Sequence, residues 1–369
     1  MEITDLQLYP IETRRESGSI TPHVIVTLET KEGVTGVGEM SDLGHGGGAA
    51  TVPSLQALRE SLMGILRGRD PHETTALVAR LEERFPGLES HHSEIRCGIE
   101  IALWDTIAKA ANVPLHDLLG GKVRDRYRVC YPVFRMSSVD AVKDNLRRVR
   151  DRMAQGQDCF RLYWAGNIEA DERFLAGVRE EWGDSVEIKS LDGGKSLPRD
   201  EAISALRRLM KYNPTHIEST CGLNENYLED MRAVREETGL LLSEHIRGFD
   251  EALRFVEARA IDIFNISLVS LGGITQARKV YALAEMTGMK TLIGTTQELS
   301  IGTAAQLHLG AAMPNLDVPG DTTGPLLYQQ DVVKKRVQYE KGSAVVPEGV
   351  GLGMELDNDA LQANAATFG

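Results

Sequence analysis

The chain has 369 residues, 42% hydrophobic and 26% charged, with 41 Lys+Arg against 54 Asp+Glu and a formal net charge of −13. At about 150 residues per domain this is chain for roughly two domains, or one large barrel with an accessory piece, and its near-ordinary composition excludes a mainly disordered protein. The acidic excess disfavours a nucleic-acid or anionic-membrane surface, but it leaves room for an anionic substrate where a metal or an arginine reverses the field in one pocket.

The opening segments ITDLQLYPIE and HVIVTLETKEGVTGVGEM alternate as strands do, with Lys31-Glu32-Gly33 as a turn. The first residues have neither a basic start nor an apolar run, and every later apolar stretch falls short of the about 20 residues a membrane span needs. Between residues 51 and 112 the pattern turns helical, broken at Arg69-Asp70-Pro71 and Phe85-Pro86-Gly87. In the last of these helices Ile95, Ile99, Ala102 and Thr106 share a face, and Pro114 lies beyond its end. Strands followed by helices predict a small α+β domain over residues 1–125.

From about residue 127 the pattern changes to short strands, each followed by an amphipathic helix: RVCYPVF, CFRLYW, VEIKSLD, THIEST, LLLSEH, DIFNISL, KTLIGTT and LDVPGD. In TQARKVYALAEMTG, Ala277, Val280, Tyr281 and Ala284 fall on one face and Gly288 supplies the stop. Strand ends at Tyr163, Asp192, Glu218, Glu244 and Ser267 lie 29, 26, 26 and 23 residues apart. Such βα units, repeated to eight strands over residues 126–325, predict an α/β barrel of the TIM type. A doubly wound sheet would want a glycine-rich phosphate loop after its first strand, and the sequence has none there. Cys97, Cys130, Cys159 and Cys221 show no metal-binding spacing and read as reduced, buried thiols, so a cytoplasmic protein is expected.

Strand carboxyl ends converge in a barrel, which makes Asp192, Glu218 and Glu244 the first residues of chemical interest. Strand ends are commonly polar, so three acids there can be coincidence. The other reading is a divalent cation, which would relieve the mutual repulsion of three carboxylates.

Several longer stretches resemble the enolase superfamily, in its mandelate racemase/muconate lactonising group. They are CGIEIALWDTIAKAANVPLHDLLGG, DIFNISLVSLGGITQARKVYALAE, TTQELSIGTAAQLHLGAAMPNL, GPLLYQQDVV and VPEGVGLGMELD, in the family's order along essentially the whole chain. The resemblance implies an α+β capping domain, a (β/α)7β barrel, and a C-terminal segment, 326–369, that returns to the cap. It further implies Mg²⁺ as cofactor, with Asp192, Glu218 and Glu244 as its ligands. The implied chemistry is removal of the proton α to a carboxylate, with a metal-stabilised enediolate that isomerises or eliminates. A small-molecule carboxylate as substrate and a homo-oligomeric assembly complete that expectation. A family member that binds carboxylate or metal without turnover is the alternative from another class.

The sequence departs from the family where the base should be. A Lys-x-Lys pair is usual at the second strand, and here Arg161 and Tyr163 occupy those positions; Ser267 stands where the sixth strand usually offers Lys or Asp. Four catalytic candidates follow: Tyr163 with Arg161 beside it, His245 and Glu298. Tyr163 is either a base whose phenol is made acidic by Arg161 and the metal, or a packing and substrate-binding residue. His245 is an acid or base if the strand end bends to present it. Glu298 is either an acid partner late in the barrel or a helix-start carboxylate. Arg14, Arg15, His45, Ser267 and Thr296 are the expected substrate contacts. His45 sits in the glycine-rich stretch SDLGHGGGAATV, read either as a lid or as an ordinary surface loop. Lys195 either reaches the site from the loop after Asp192 or is a solvated lysine, the commoner case.

Overall fold

The computed structural model describes residues 1–41, 55–88 and 91–365. The expected lid stretch, His45 included, lies outside the described residues except for Ser41. Strands β1 (Ile3–Arg14), β2 (Ile20–Thr30) and β3 (Thr35–Met40) form one antiparallel sheet in chain order. The β2–β3 turn falls at the expected Lys31–Gly33, where Gly33 takes a φ of 80° that a side chain would resist. Helices α1 (Leu55–Leu66), α2 (Thr74–Arg84) and α3 (His92–Ala110) cover the sheet. The face expected on α3 is buried, but so are Cys97, Ile101 and Ala108 on its other sides. Ile95, Ile99 and Ala102 belong to the core under the first sheet, whereas Cys97, Ile101 and Ala108 belong to the larger core of the barrel. One helix thus joins the two halves, which is why its apolar pattern runs all the way round.

After α4 (Leu115–Leu118) and β4 (Arg126–Arg128), the barrel strands run as β5 (Tyr131–Val133), β6 (Cys159–Tyr163), β7 (Glu187–Asp192), β8 (His216–Glu218), β9 (Leu241–His245), β10 (Ile263–Ile266) and β11 (Lys290–Ile293). They form a seven-stranded parallel sheet in that order, curled and covered by helices: a modified TIM barrel with a capping domain. The helices between them are α5 (Ala141–Ala154), α6 (Ile168–Trp182), α7 (Arg199–Leu209), α8 (Tyr227–Thr238), α9 (Phe249–Ala258), α10 (Leu268–Leu271) and α11 (Ile274–Thr287). Gly288 ends α11 in the left-handed conformation, as its position predicts. The expected eighth strand, LDVPGD, is a hydrogen-bonded segment and no regular strand. Asp317 N and Asp321 N donate to Thr291 and Ile293 carbonyls at 3.0 and 2.8 Å, and Gly320 O accepts from Cys130 N at 2.8 Å. Pro319, lacking an N–H, interrupts the ladder between these contacts.

Beyond α12 (Ser300–Ala312) and α13 (Gly324–Leu327), the tail carries β12 (Tyr339–Glu340), β13 (Ser343–Val345) and α14 (Asn358–Ala363). It returns to the first sheet through antiparallel bridges from Tyr328 to Arg15 and from Ala365 to Ile11. All four cysteines are free and buried. Among the described residues no helix is long and apolar enough to cross a membrane.

Candidate active site

Residues after the barrel strands adopt backbone conformations that L side chains rarely take. Ala165 follows β6, Lys195 follows β7, Ser219 follows β8 and Gln297 follows β11, with φ between 45° and 70°. Strain of about 1–3 kcal/mol per residue persists only where the surroundings impose it, and here it gathers at the carboxyl ends of the strands. At this end a cavity of about 350 Å³ is lined by Tyr163, Asp192, Lys195, Ser219, His245 and Arg247.

Register decides which strand-end residues face one another. Asp192 pairs with Glu218, and Glu218 pairs with Ser243, not with Glu244. Side chains alternate along a strand, so Glu244 leaves the row formed by Asp192 and Glu218. Its carboxylate accepts from Ser219 Oγ at 2.9 Å, from Tyr227 OH on α8, and sits 3.2 Å from Lys195 Nζ. His245 takes the place next to Glu218, with Nε2 3.2 Å from Glu218 Oε1, which also accepts from Asn265 Nδ2 at 2.7 Å. The structure therefore brings Asp192, Glu218 and His245 together and places Glu244 elsewhere.

Beneath them the barrel interior is polar. Arg161 Nη1 lies 3.0 Å from Asp321 Oδ2, 3.8 Å from Glu218 and 3.9 Å from Asp192. Lys189 Nζ lies 2.6 Å from Asp321 Oδ1, and neither of that pair is exposed to solvent. Arg161 Nη2 donates to Tyr163 OH at 2.6 Å, and the Tyr163 ring stacks on Phe134 with centroids 5.8 Å apart.

The electrostatics follow from this arrangement. Burial and the Glu218 charge push the Asp192 carboxyl up to about 7. Burial opposes ionisation of Glu218 as well, but His245, Lys189 and Arg161 hold it well below the usual carboxylate range. Burial would lower the His245 imidazole, yet the Glu218 carboxylate beside it raises it above 6.5. For Tyr163 burial outweighs Arg161, so the phenol is raised, which goes against the base reading of this residue and favours the packing and substrate-binding one.

The other expected residues lie apart from the cavity. Arg14 donates to Gly18 O at 3.0 Å on the surface, and Arg15 is buried with Nη2 3.3 Å from Tyr328 OH. Ser267 caps α10, and it is Ser270 that lines the cavity. Thr296 N and Oγ1 both donate to Glu298 Oε1 at 3.0 Å, and Gln306 donates to the same oxygen. Glu298 is thus a fully buried carboxylate that organises the start of α12, with its carboxyl raised by that burial. Of the two readings of Lys195, the structure favours the one in which it reaches the site: it lines the cavity with a side chain only 16% exposed. Asp321, Lys189 and Asn265 were not singled out by sequence. Asp321 ends the last strand-like segment and carries the same strand-end signal as Asp192. Lys189 is mid-strand, beside a register irregularity between β6 and β7 that no pattern of one strand reveals.

Parallel strands with their polar groups gathered at the carboxyl ends, beneath a smaller α+β domain, define a barrel enzyme. Residues 2–120 match the mandelate racemase/muconate lactonizing enzyme N-terminal domain, and residues 144–360 match the enolase C-terminal domain-like family. The chain belongs to the mandelate racemase/muconate lactonizing enzyme group of the enolase superfamily, and it is an enzyme of that superfamily. It is 27% identical over 366 residues to a chloromuconate cycloisomerase of Cupriavidus pinatubonensis, covering 98% of this chain and 96% of the relative. It is 26% identical to an N-succinyl-L-Arg/Lys racemase of Bacillus cereus, covering 98% and 97%. The muconate lactonizing enzyme of Pseudomonas putida superposes with a TM-score of 0.87 at 24% identity, covering 99% and 100%, a likeness that shows the fold.

Enzymes of this group are metal-dependent. The donor set of this chain does not fit the expected three-carboxylate site. Ser243 stands level with Asp192 and Glu218, Glu244 is turned to α8, and Arg161 approaches both remaining carboxylates. Among the described residues no three His, Cys, Asp or Glu side chains converge on a point that could hold a metal ion.

Proposed function

We propose that the protein removes the proton α to the carboxylate of a small-molecule substrate bound in the cavity at the barrel mouth. The enediolate so formed then isomerises or eliminates. The observation that supports this most directly is His245, held on Glu218 at 3.2 Å and facing the cavity. An imidazole on a carboxylate is an acid–base group fixed in orientation, and its charge changes in the range where proton transfer to carbon acids is run. Tyr163 serves as a neutral hydrogen-bond donor. Arg161 has no acceptor, so its contact uses the phenol oxygen and leaves the phenol hydrogen for a bound molecule. One acid–base group suits cycloisomerisation or elimination better than racemisation, which needs proton transfer on both faces. Magnesium is the cation that the family resemblance implies. Four free buried thiols support a cytoplasmic setting.

Incubation with a panel of acid sugars and N-acyl amino acids in D₂O, followed by proton NMR, tests the reading. Deuterium uptake at the α-carbon of at least one carboxylate is expected. Binding without uptake for every member would favour the protein without turnover.

A further inference from the structure

We infer that the mouth holds a carboxylate on Lys195 and Arg247 directly, the place of a divalent cation being taken by the protein's own side-chain charges. This rests on reading the cavity as a carboxylate site. Three observations lead to it. First, the inner acids already have fixed cations. Asp321 is paired with both Arg161 and Lys189, at 3.0 and 2.6 Å, and Glu218 lies 3.8 Å from Arg161. Arg161 and Lys189 therefore stand among three buried carboxylates, Asp321, Glu218 and Asp192, with the His245 imidazole on Glu218, so a divalent cation would enter a site whose acids already have positive partners.

Second, the third strand of the row offers a hydroxyl, Ser243, where an anionic donor would be needed, and Glu244 is committed to Tyr227, Ser219 and Lys195. Third, the cations that reach the cavity are placed by the backbone. Lys195 has a φ of 56°, and its Nζ rests 3.2 Å from Glu244 and 5.5 Å over the Tyr227 ring. These contacts hold its ammonium at the cavity wall. Arg247 leads into α9, its N–H donating to Glu251 Oε2 at 2.7 Å, and its side chain lines the same cavity. The cavity lining thus includes two basic side chains, Lys195 from the loop after β7 and Arg247 from the loop after β9, together with His245. A planar carboxylate or enediolate suits this lining, with the guanidinium supplying paired donors.

Oxalate, a planar dianion shaped like an enediolate, is the probe. Its binding to the full-length protein is measured by calorimetry in EDTA and again in excess Mg²⁺, and Mn²⁺ binding is measured separately by electron paramagnetic resonance. We expect equal oxalate affinity in the two conditions, no stoichiometric Mn²⁺, and at least about tenfold weaker oxalate binding in Lys195→Met and in Arg247→Gln. Arg247 is exposed, so its variant reports on binding even if Lys195→Met folds poorly. Oxalate binding that needs Mg²⁺ would overturn the inference, as would one Mn²⁺ per chain lost in Asp192→Asn, or no oxalate binding in either condition. None of these readouts requires turnover. A failure of the proton-transfer reading, seen as no deuterium uptake, is therefore distinct from a failure here.

Discussion

At the scale of single residues, the His245–Glu218 pair sets how the protein should respond to pH. As a base, His245 must be neutral, and Glu218 raises its imidazole above 6.5. Proton-exchange kcat/KM is therefore expected to rise with pH through a midpoint above that value. Glu218→Gln should move the midpoint downward, because the carboxylate that favours imidazolium is gone; an unmoved midpoint would assign the titration to another group. A second residue affects stability only. Asp171 is buried, accepts from Ala165 N at 3.0 Å, and its carboxyl is raised by burial from 3.8 to about 7. The native state keeps this proton while the unfolded chain gives it up, so stability should fall as pH rises from about 4 through about 7. The full effect is on the order of a few kcal/mol. Asp171→Asn keeps the acceptor and should flatten the slope in urea titrations across that window. Register separates what could be read at this scale from what could not. Asp192 and Glu218 are legible as strand ends, but which residue of LLLSEH stands beside Glu218 depends on two strands at once. The sequence of β9 alone points to Glu244; the pairing with β8 selects Ser243 and turns His245 inward.

At the scale of elements, the periodicities that predict β1–β3, α3 and the βα repeat are local, and they locate these segments to within a few residues. The close approach of β3 to α3 is not local. A Cβ on Gly38 would lie 2.0 Å from Gly98 O, and one on Gly36 would lie 2.1 Å from Thr106 Oγ1. The sheet can lie against the helix only because these positions have no side chain. Gly38→Ala should cost about 1–3 kcal/mol in urea unfolding, since the intruding methyl meets backbone that cannot yield. Gly64, in α1, has nothing within 4 Å of the point where a Cβ would stand, so Gly64→Ala should stabilise by about 0.4–1 kcal/mol. Equal effects from both substitutions would argue against the seam. The Pro319-interrupted eighth segment shows the same division: its place in the repeat is legible, its departure from a regular strand only through its neighbours.

At the scale of the whole molecule, the N-terminal sheet and the C-terminal tail meet in space although the barrel strands separate them along the chain. Helix α3 contributes to both cores, and the tail from Tyr328 to Ala365 bridges back onto β1. The negative net charge of the chain coexists with a mouth that presents Lys195, Arg247 and His245, so the overall sign says little about the site's ligand. The proposed function rests on a proton moved through His245 at this mouth. Its most direct measurement is α-deuterium uptake by a carboxylate turned over by the wild-type protein, compared with His245→Gln at equal, verified folding. The variant is expected to lose about 10²–10⁴-fold in exchange rate while still binding the same carboxylate. Exchange at the wild-type rate in His245→Gln would contradict the claim.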